Sequence, residues 1–173
     1  MALPDTWSEL FPNRFLHADL LKGRKVTLTI KNLDMEEMKT DKGVKSAVIA
    51  YFVERPLQLG TNKTNGFCLK RMFGNNPHNW IGKRITIYPT TTKFGPDTVD
   101  CIRIFGSPDI AADMKITVPQ GRKKPIEMTM HRINAGECGF KGVPLVSAPE
   151  TAAEDQPPSE PDYEQNPDAE QAA

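Results

Sequence analysis

The chain has 173 residues, of which 38% are hydrophobic, and its 22 basic and 22 acidic side chains give a formal net charge of zero. A chain of this length predicts one domain with room for a tail. Its three cysteines form no CxxC pair, which argues against a disulfide framework and against a structural zinc site. Because there is no membrane-spanning apolar run and no signal-like segment at the start, we expect a cytosolic protein with no membrane partner.

The zero net charge hides two oppositely charged parts. No Lys or Arg follows Lys141, whereas eight of the 22 acidic residues lie between Glu150 and Glu170. The other 14 stand against all 22 basic residues, so the body carries a charge of about +8. Residues 148–173 are rich in proline and poor in large apolar side chains, which predicts a disordered acidic tail. A basic body favours polyanionic partners, although such an excess also occurs in domains that bind no nucleic acid.

The first half of the chain contains three predicted strands. Residues 1–22 form an apolar lead-in, including Trp7, that we expect to pack on the main domain. Apolar and polar side chains alternate over residues 25–33, which predicts the first strand. A charged connection at residues 34–42 leads to a second strand at residues 44–53. After a proline break, a short third strand is predicted at residues 57–59.

A helix and two more strands follow. Thr64 or Asn65 is a suitable N-cap for a helix that reaches Phe73. Bulky residues at alternate positions predict strands at residues 84–88 and 99–105, joined by a polar connection at residues 89–98. The resulting order, β-β-β-α-β-β, is that of the OB-fold, a five-stranded Greek-key barrel.

Two further strand-like runs, residues 115–118 and 126–133, flank a basic connection at residues 119–125 and predict a β-hairpin. The predicted fold class is therefore mainly β. It comprises an OB-fold domain at residues 23–108, a β-hairpin extension at residues 109–147 and the disordered acidic tail.

The sequence contains no recognisable catalytic constellation. Its three histidines lie in different segments, and the usual nucleophile-elbow, phosphate-loop and dinucleotide-binding motifs are missing. Cys138 follows His131 within a glycine-rich stretch that would not fix a nucleophile against a base. Asp97, Asp100 and Asp109 fall near a strand start and a turn, where solvated or capping carboxylates are common. We therefore expect no enzyme, no metal and no cofactor.

Single-stranded nucleic acid is held by cations that follow the phosphates and by aromatic faces on which bases stack. Phe94, at the tip of the 89–98 connection, is the leading platform, with folding back onto the barrel as the alternative. Tyr88 fits either a platform or a tyrosine at the barrel rim. The predicted nucleic-acid-binding residues are Lys31, Lys63, Lys83, Arg84, Tyr88, Lys93, Phe94, Arg103, Arg122, Lys123 and Lys124. The wider candidate set adds Arg24, Lys25, Tyr51, Phe52 and Phe105.

Several short motifs carry a family resemblance. The main ones are Asn62-Lys63-Thr64-Asn65, Trp80-Ile81-Gly82-Lys83 and Lys93-Phe94-Gly95. Together with the strand at residues 27–30, they resemble a small, mostly uncharacterised family of phage and prophage OB-fold-like proteins of the single-stranded DNA-binding type. The resemblance covers about residues 7–108. It implies an OB-like domain of viral origin that acts in replication or recombination in the cytoplasm of a bacterial host.

Two functional hypotheses follow. The first is a non-enzymatic protein that binds single-stranded DNA without sequence preference, with phosphates along the basic residues and bases against Phe94. In this hypothesis the basic connection at residues 119–125 extends the binding surface or mediates self-association. The second is a phage OB-fold interaction module that binds or inhibits a host protein. The expected partners are thus single-stranded DNA, a second copy of the chain, and a replication, recombination or host protein.

Overall fold

The computed structural model describes residues 13–40 and 43–142. The strands within these residues are β1 (Val26–Thr40), β2 (Gly43–Phe52), β3 (Leu59–Thr61), β4 (Arg84–Phe94), β5 (Asp97–Ser107), β6 (Met114–Gln120) and β7 (Lys123–Arg132). Helix α1 (Lys63–Phe73) lies between β3 and β4, and two 3-10 helices span Ala18–Leu21 and Pro77–Trp80. The strands form one sheet in the order β3-β2-β1-β4-β5-β7-β6. The prediction of a mainly β fold is confirmed.

The centre of the sheet carries the core. β1 pairs antiparallel with both β2 and β4, and β4 pairs antiparallel with β5. Leu28 and Ile30 of β1, Ile85 and Ile87 of β4, and Ile104 of β5 are each at most 2% exposed. Alternate residues of a strand face the same side, so these side chains form one apolar face, as their period-two pattern predicts.

Residues 34–40 and most of residues 89–98, predicted as polar connections, are instead strands. β1 continues to Thr40, which pairs with Gly43 of β2, so residues 34–40 are one side of a ribbon. β4 and β5 likewise remain paired out to Phe94 and Asp97, with Gly95 at φ +64° in the two-residue turn. Most of the described side chains in these two ribbon segments are exposed, so the segments lack the apolar alternation by which a half-buried strand is recognised. Their backbone pairing nevertheless continues to the ends of both ribbons.

The start of α1 also differs from its prediction. Asn62 is the N-cap, and its side-chain oxygen accepts the N–H of Asn65 at 2.9 Å. Asn65 is itself fully buried and donates its side-chain N–H to the Ile102 carbonyl at 2.9 Å. Asn62, Thr64 and Asn65 are all residue types suited to capping, so the sequence cannot rank them without knowing which one packs against β5. The third strand likewise lies at Leu59–Thr61 rather than at residues 57–59.

The space between β3 and β5 is occupied by the N-terminal segment. The N–H of Leu16 donates to the Gln58 carbonyl at 2.7 Å just before β3. A cavity of about 300 Å³ is lined by residues 15–18 together with Leu59 of β3 and Ile102 of β5. Within the described residues β3 and β5 are not paired with each other, so the sheet is open there. The rest of the lead-in, including Trp7, residues 143–147 of the extension and the acidic tail lie outside the described residues.

β5 and β7 run parallel and pair only at Gly106–His131 and Ser107–Arg132 within the described residues, at a point that we call the vertex. A Cβ atom added to Gly106 would lie 1.8 Å from the His131 carbonyl oxygen, which is a backbone atom. We expect Gly106→Ala to lower the free energy of unfolding by about 1–3 kcal/mol, because the two strands must separate. Chemical denaturation measures this change.

Gly60→Ala is the matched control for Gly106→Ala. Gly60 also lies in a strand, and an added Cβ atom there meets nothing within 4 Å. Equal stability of the two variants would contradict the backbone contact at the vertex.

Candidate nucleic-acid interface

A groove opens between the outer ends of two β-ribbons. The β4–β5 ribbon ends at the turn at residues 95–96, and the β6–β7 hairpin ends at residues 121–122. The N-terminal end of α1 lies between them, and α1 packs against β5 and β6. The groove has a volume of about 580 Å³. Its lining residues are Lys63, Thr64, Thr92, Lys93, Pro119, Gln120, Gly121, Lys123 and Ile126.

Three lysines from three different elements line this groove. Lys63 is the first residue of α1, Lys93 is the last but one of β4, and Lys123 is the first of β7. All three are exposed, and none is in a salt bridge with another described residue. None of the lining residues is acidic. The groove is therefore a concave surface with unneutralised positive charge, which suits a phosphate-bearing chain.

The tips of the two ribbons add more of the predicted residues. Phe94 is 70% exposed beside Lys93, so its ring does not fold back onto the sheet. Arg122 and Lys124 are exposed on either side of Lys123. Gly121 has φ +62° and makes the turn that places these cations at the hairpin tip. An aromatic side chain and a cationic cluster thus stand at opposite rims of the groove.

The other predicted residues do not line the groove. Lys31 is exposed at a bulge in β1, and Lys83 is half-buried, with its backbone hydrogen-bonded to Ile30 and Trp80. Tyr88 and Arg103 face each other across the β4–β5 ladder, and both are half-buried.

The guanidinium of Arg84, one of the predicted nucleic-acid-binding residues, is paired within the protein. It forms a salt bridge with Asp109, whose side chain is fully buried, while that of Arg84 is 15% exposed. The backbone N–H of Arg84 also donates to an Asp109 carboxylate oxygen at 2.8 Å. Ser107 joins the network by donating its hydroxyl to the Arg84 carbonyl at 2.6 Å. Arg84 therefore holds the end of β5 against the start of β4.

Two aromatic candidates are also unsuited to stacking bases. Phe52 is 4% exposed and belongs to the core. The Tyr51 hydroxyl donates to Glu36 at 3.4 Å. Burial, and then the charge of Glu36, raises the pKa of Tyr51. Phosphates would be repelled from this acidic part of the β1–β2 ribbon.

Two thiols, those of Cys68 and Cys138, are not activated as nucleophiles. Burial raises the pKa of Cys68 to about 11, and burial also raises the pKa of Cys138. A reactive thiol needs the opposite shift. In the described part of the chain no three His, Cys, Asp or Glu side chains are grouped so as to hold a metal ion. Over the same residues, no helix has the length and apolar content needed to cross a membrane.

Comparisons of the chain with protein-family models, with curated proteins and with solved structures give no significant match. We therefore infer function from the residues of the groove and their surroundings.

Proposed function

We propose that the chain is a non-enzymatic, OB-type protein that binds single-stranded DNA without sequence preference. The OB assignment is supported by the strand order β3-β2-β1-β4-β5 and by the helix between β3 and β4. In this proposal the segment at residues 13–21 and α1 cover the gap between β3 and β5. The phage origin and the role in replication or recombination follow from the family resemblance alone.

One observation carries the proposal: Lys63, Lys93 and Lys123 meet in a groove whose lining has no acidic residue. Lysines on separate elements can contact successive phosphates without reading the bases, which gives affinity without sequence preference. Phe94 at the rim offers a face to an unpaired base. A duplex keeps its base faces inside the helix, so the aromatic contact favours single strands.

The direct test is a titration of the full chain with a fluorescent oligo-dT against salt, alongside a duplex of equal length. We expect tight binding of the single strand and weaker binding of the duplex. The logarithm of the affinity should fall linearly with the logarithm of salt, with a slope of about −0.7 for each phosphate contact. No binding at low salt, or equal binding of both oligomers, would contradict the proposal.

A second candidate function is a protein-interaction module. It is favoured by three exposed apolar side chains: Met35 at 73%, Val44 at 59% and Ile81 at 40%. Met35 and Ile81 line one shallow cavity of about 250 Å³, together with Leu33 and Val48. Exposed apolar patches of this kind often mark protein contacts. Charge reversal of the groove lysines separates the two functions, because it should abolish DNA binding and leave a contact at this patch intact.

A further inference from the structure

An aromatic cluster lies beside the vertex, outside the groove. The rings of Tyr88 and Phe105 meet edge to face, with centroids 5.9 Å apart. The imidazole of His131 stacks on Phe105 with centroids 4.4 Å apart and an interplanar angle of 26°. The Lys25 ammonium lies 3.9 Å from the centroid of the Phe105 ring. We call Tyr88, Phe105 and His131 the aromatic platform.

Strand alternation puts the platform on the sheet face opposite the core. Phe105 follows the buried Ile104, and His131 follows the buried Met130. Tyr88, Phe105 and His131 are each half-buried rather than covered. Buried aromatic rings would suffice for packing, whereas these retain open surface that a planar ligand can cover.

The platform is also held in place before any ligand arrives. A carboxylate oxygen of Asp113 lies 3.1 Å from the Nδ1 atom of His131, and the other accepts the backbone N–H of Arg132 at 2.7 Å. That backbone hydrogen bond, and then the interaction with His131, lowers the pKa of Asp113, so its carboxylate stays charged beside the imidazole. A ring fixed in this way loses little conformational freedom when a base stacks on it.

Cations flank the rings. Lys25 lies over Phe105, and Arg103 is the cross-strand partner of Tyr88. Aromatic faces with interspersed cations are what a single strand needs, because bases stack on the rings while phosphates pair with the cations. The groove is lined near the outer ends of the ribbons, at residues 92–93 and 119–126, so the platform is a surface separate from the groove.

We propose that the aromatic platform stacks bases of a single strand bound to the protein. This inference rests on the proposed DNA-binding function and adds a second contact surface to it. A base stacks on the open face of His131 or Tyr88, or takes the place of the Lys25 ammonium over Phe105. In the latter case the displaced ammonium remains free to pair with a neighbouring phosphate.

The test compares oligo-dT with an abasic sugar-phosphate oligomer of the same length. Phe94 also offers a face to a base, so the comparison is made in a Phe94→Leu background, where only the platform contacts need bases. This protein should bind oligo-dT about tenfold more tightly than the abasic oligomer. The double variant Tyr88→Leu, His131→Leu in the same background should lose this preference. Tyr51→Leu, which removes a tyrosine from the acidic β1–β2 ribbon, is the matched control and should retain the preference.

The outcomes separate the two proposals. If neither oligomer binds the wild-type protein, the DNA-binding function fails and the platform fails with it. If oligo-dT binds and the double variant keeps its base preference, only the platform is wrong. A readout on the unmodified protein is photocrosslinking to 5-iodouracil oligomers, for which we expect adducts on Tyr88, Phe105 or His131. Adducts confined to Phe94 would overturn the inference.

Discussion

Replacement of Lys63, Lys93 and Lys123 together by glutamine is expected to weaken binding of single-stranded DNA by about 500-fold at about 50 mM salt. Each lysine–phosphate contact to a single strand releases about 0.7 counterion, so loss of three contacts makes the log–log salt slope shallower by about 2. The affinities of variant and wild type should therefore converge as the salt approaches 1 M. Titration of oligo-dT at several salt concentrations measures both the loss and the change in slope.

The matched control changes the same charge elsewhere. Lys39 and Lys45 are exposed on the β1–β2 ribbon, and Lys70 is exposed near the C-terminal end of α1. Their joint replacement by glutamine lowers the net charge by the same three units without touching the groove. An equal loss of affinity in both triple variants would show that only total charge matters, and it would remove the groove from the proposal.

Burial determines which parts of the fold could be predicted from the sequence. Leu28, Ile30, Ile85 and Ile87 are buried and alternate with polar residues, and this pattern predicts the strands. The ribbon segment at residues 89–94 has no side chain in the core, so its threonines and lysine lack apolar alternation and predict a loop. The path of the N-terminal segment between β3 and β5 depends on tertiary contacts that leave no periodic trace in the sequence.

The candidate site, like the fold, could be predicted only in part from the sequence. The sequence predicts Lys63, Lys93 and Lys123 as binding residues from their charge and their place in the chain. It does not show that these three residues share one groove. That grouping depends on two ribbons diverging from Gly106 and His131, a contact between residues 25 positions apart. Phe105 was already a candidate platform, but its stacking with His131 could not be predicted, because it requires the β5–β7 register. No short motif encodes it.

The buried Asp109 accounts for the other large effect that we expect. Asp109→Asn should lower the free energy of unfolding by about 3–5 kcal/mol, because it leaves the Arg84 guanidinium partly buried without its counter-charge. The asparagine keeps the shape of the side chain, so the loss reports on charge rather than on a cavity. Urea denaturation monitored by the fluorescence of the buried Trp80 provides the measurement.

Asp97→Asn is the control for this variant, since Asp97 is the exposed first residue of β5 and its loss should have little effect on stability. A further variant, Arg84→Gln, separates the structural role of Arg84 from a phosphate-binding role. If Arg84 serves only to hold Asp109, then Arg84→Gln destabilises the protein, and the folded fraction still binds oligo-dT with the wild-type salt slope. A shallower slope with unchanged stability would instead return Arg84 to the DNA-binding surface, as its charge alone had predicted.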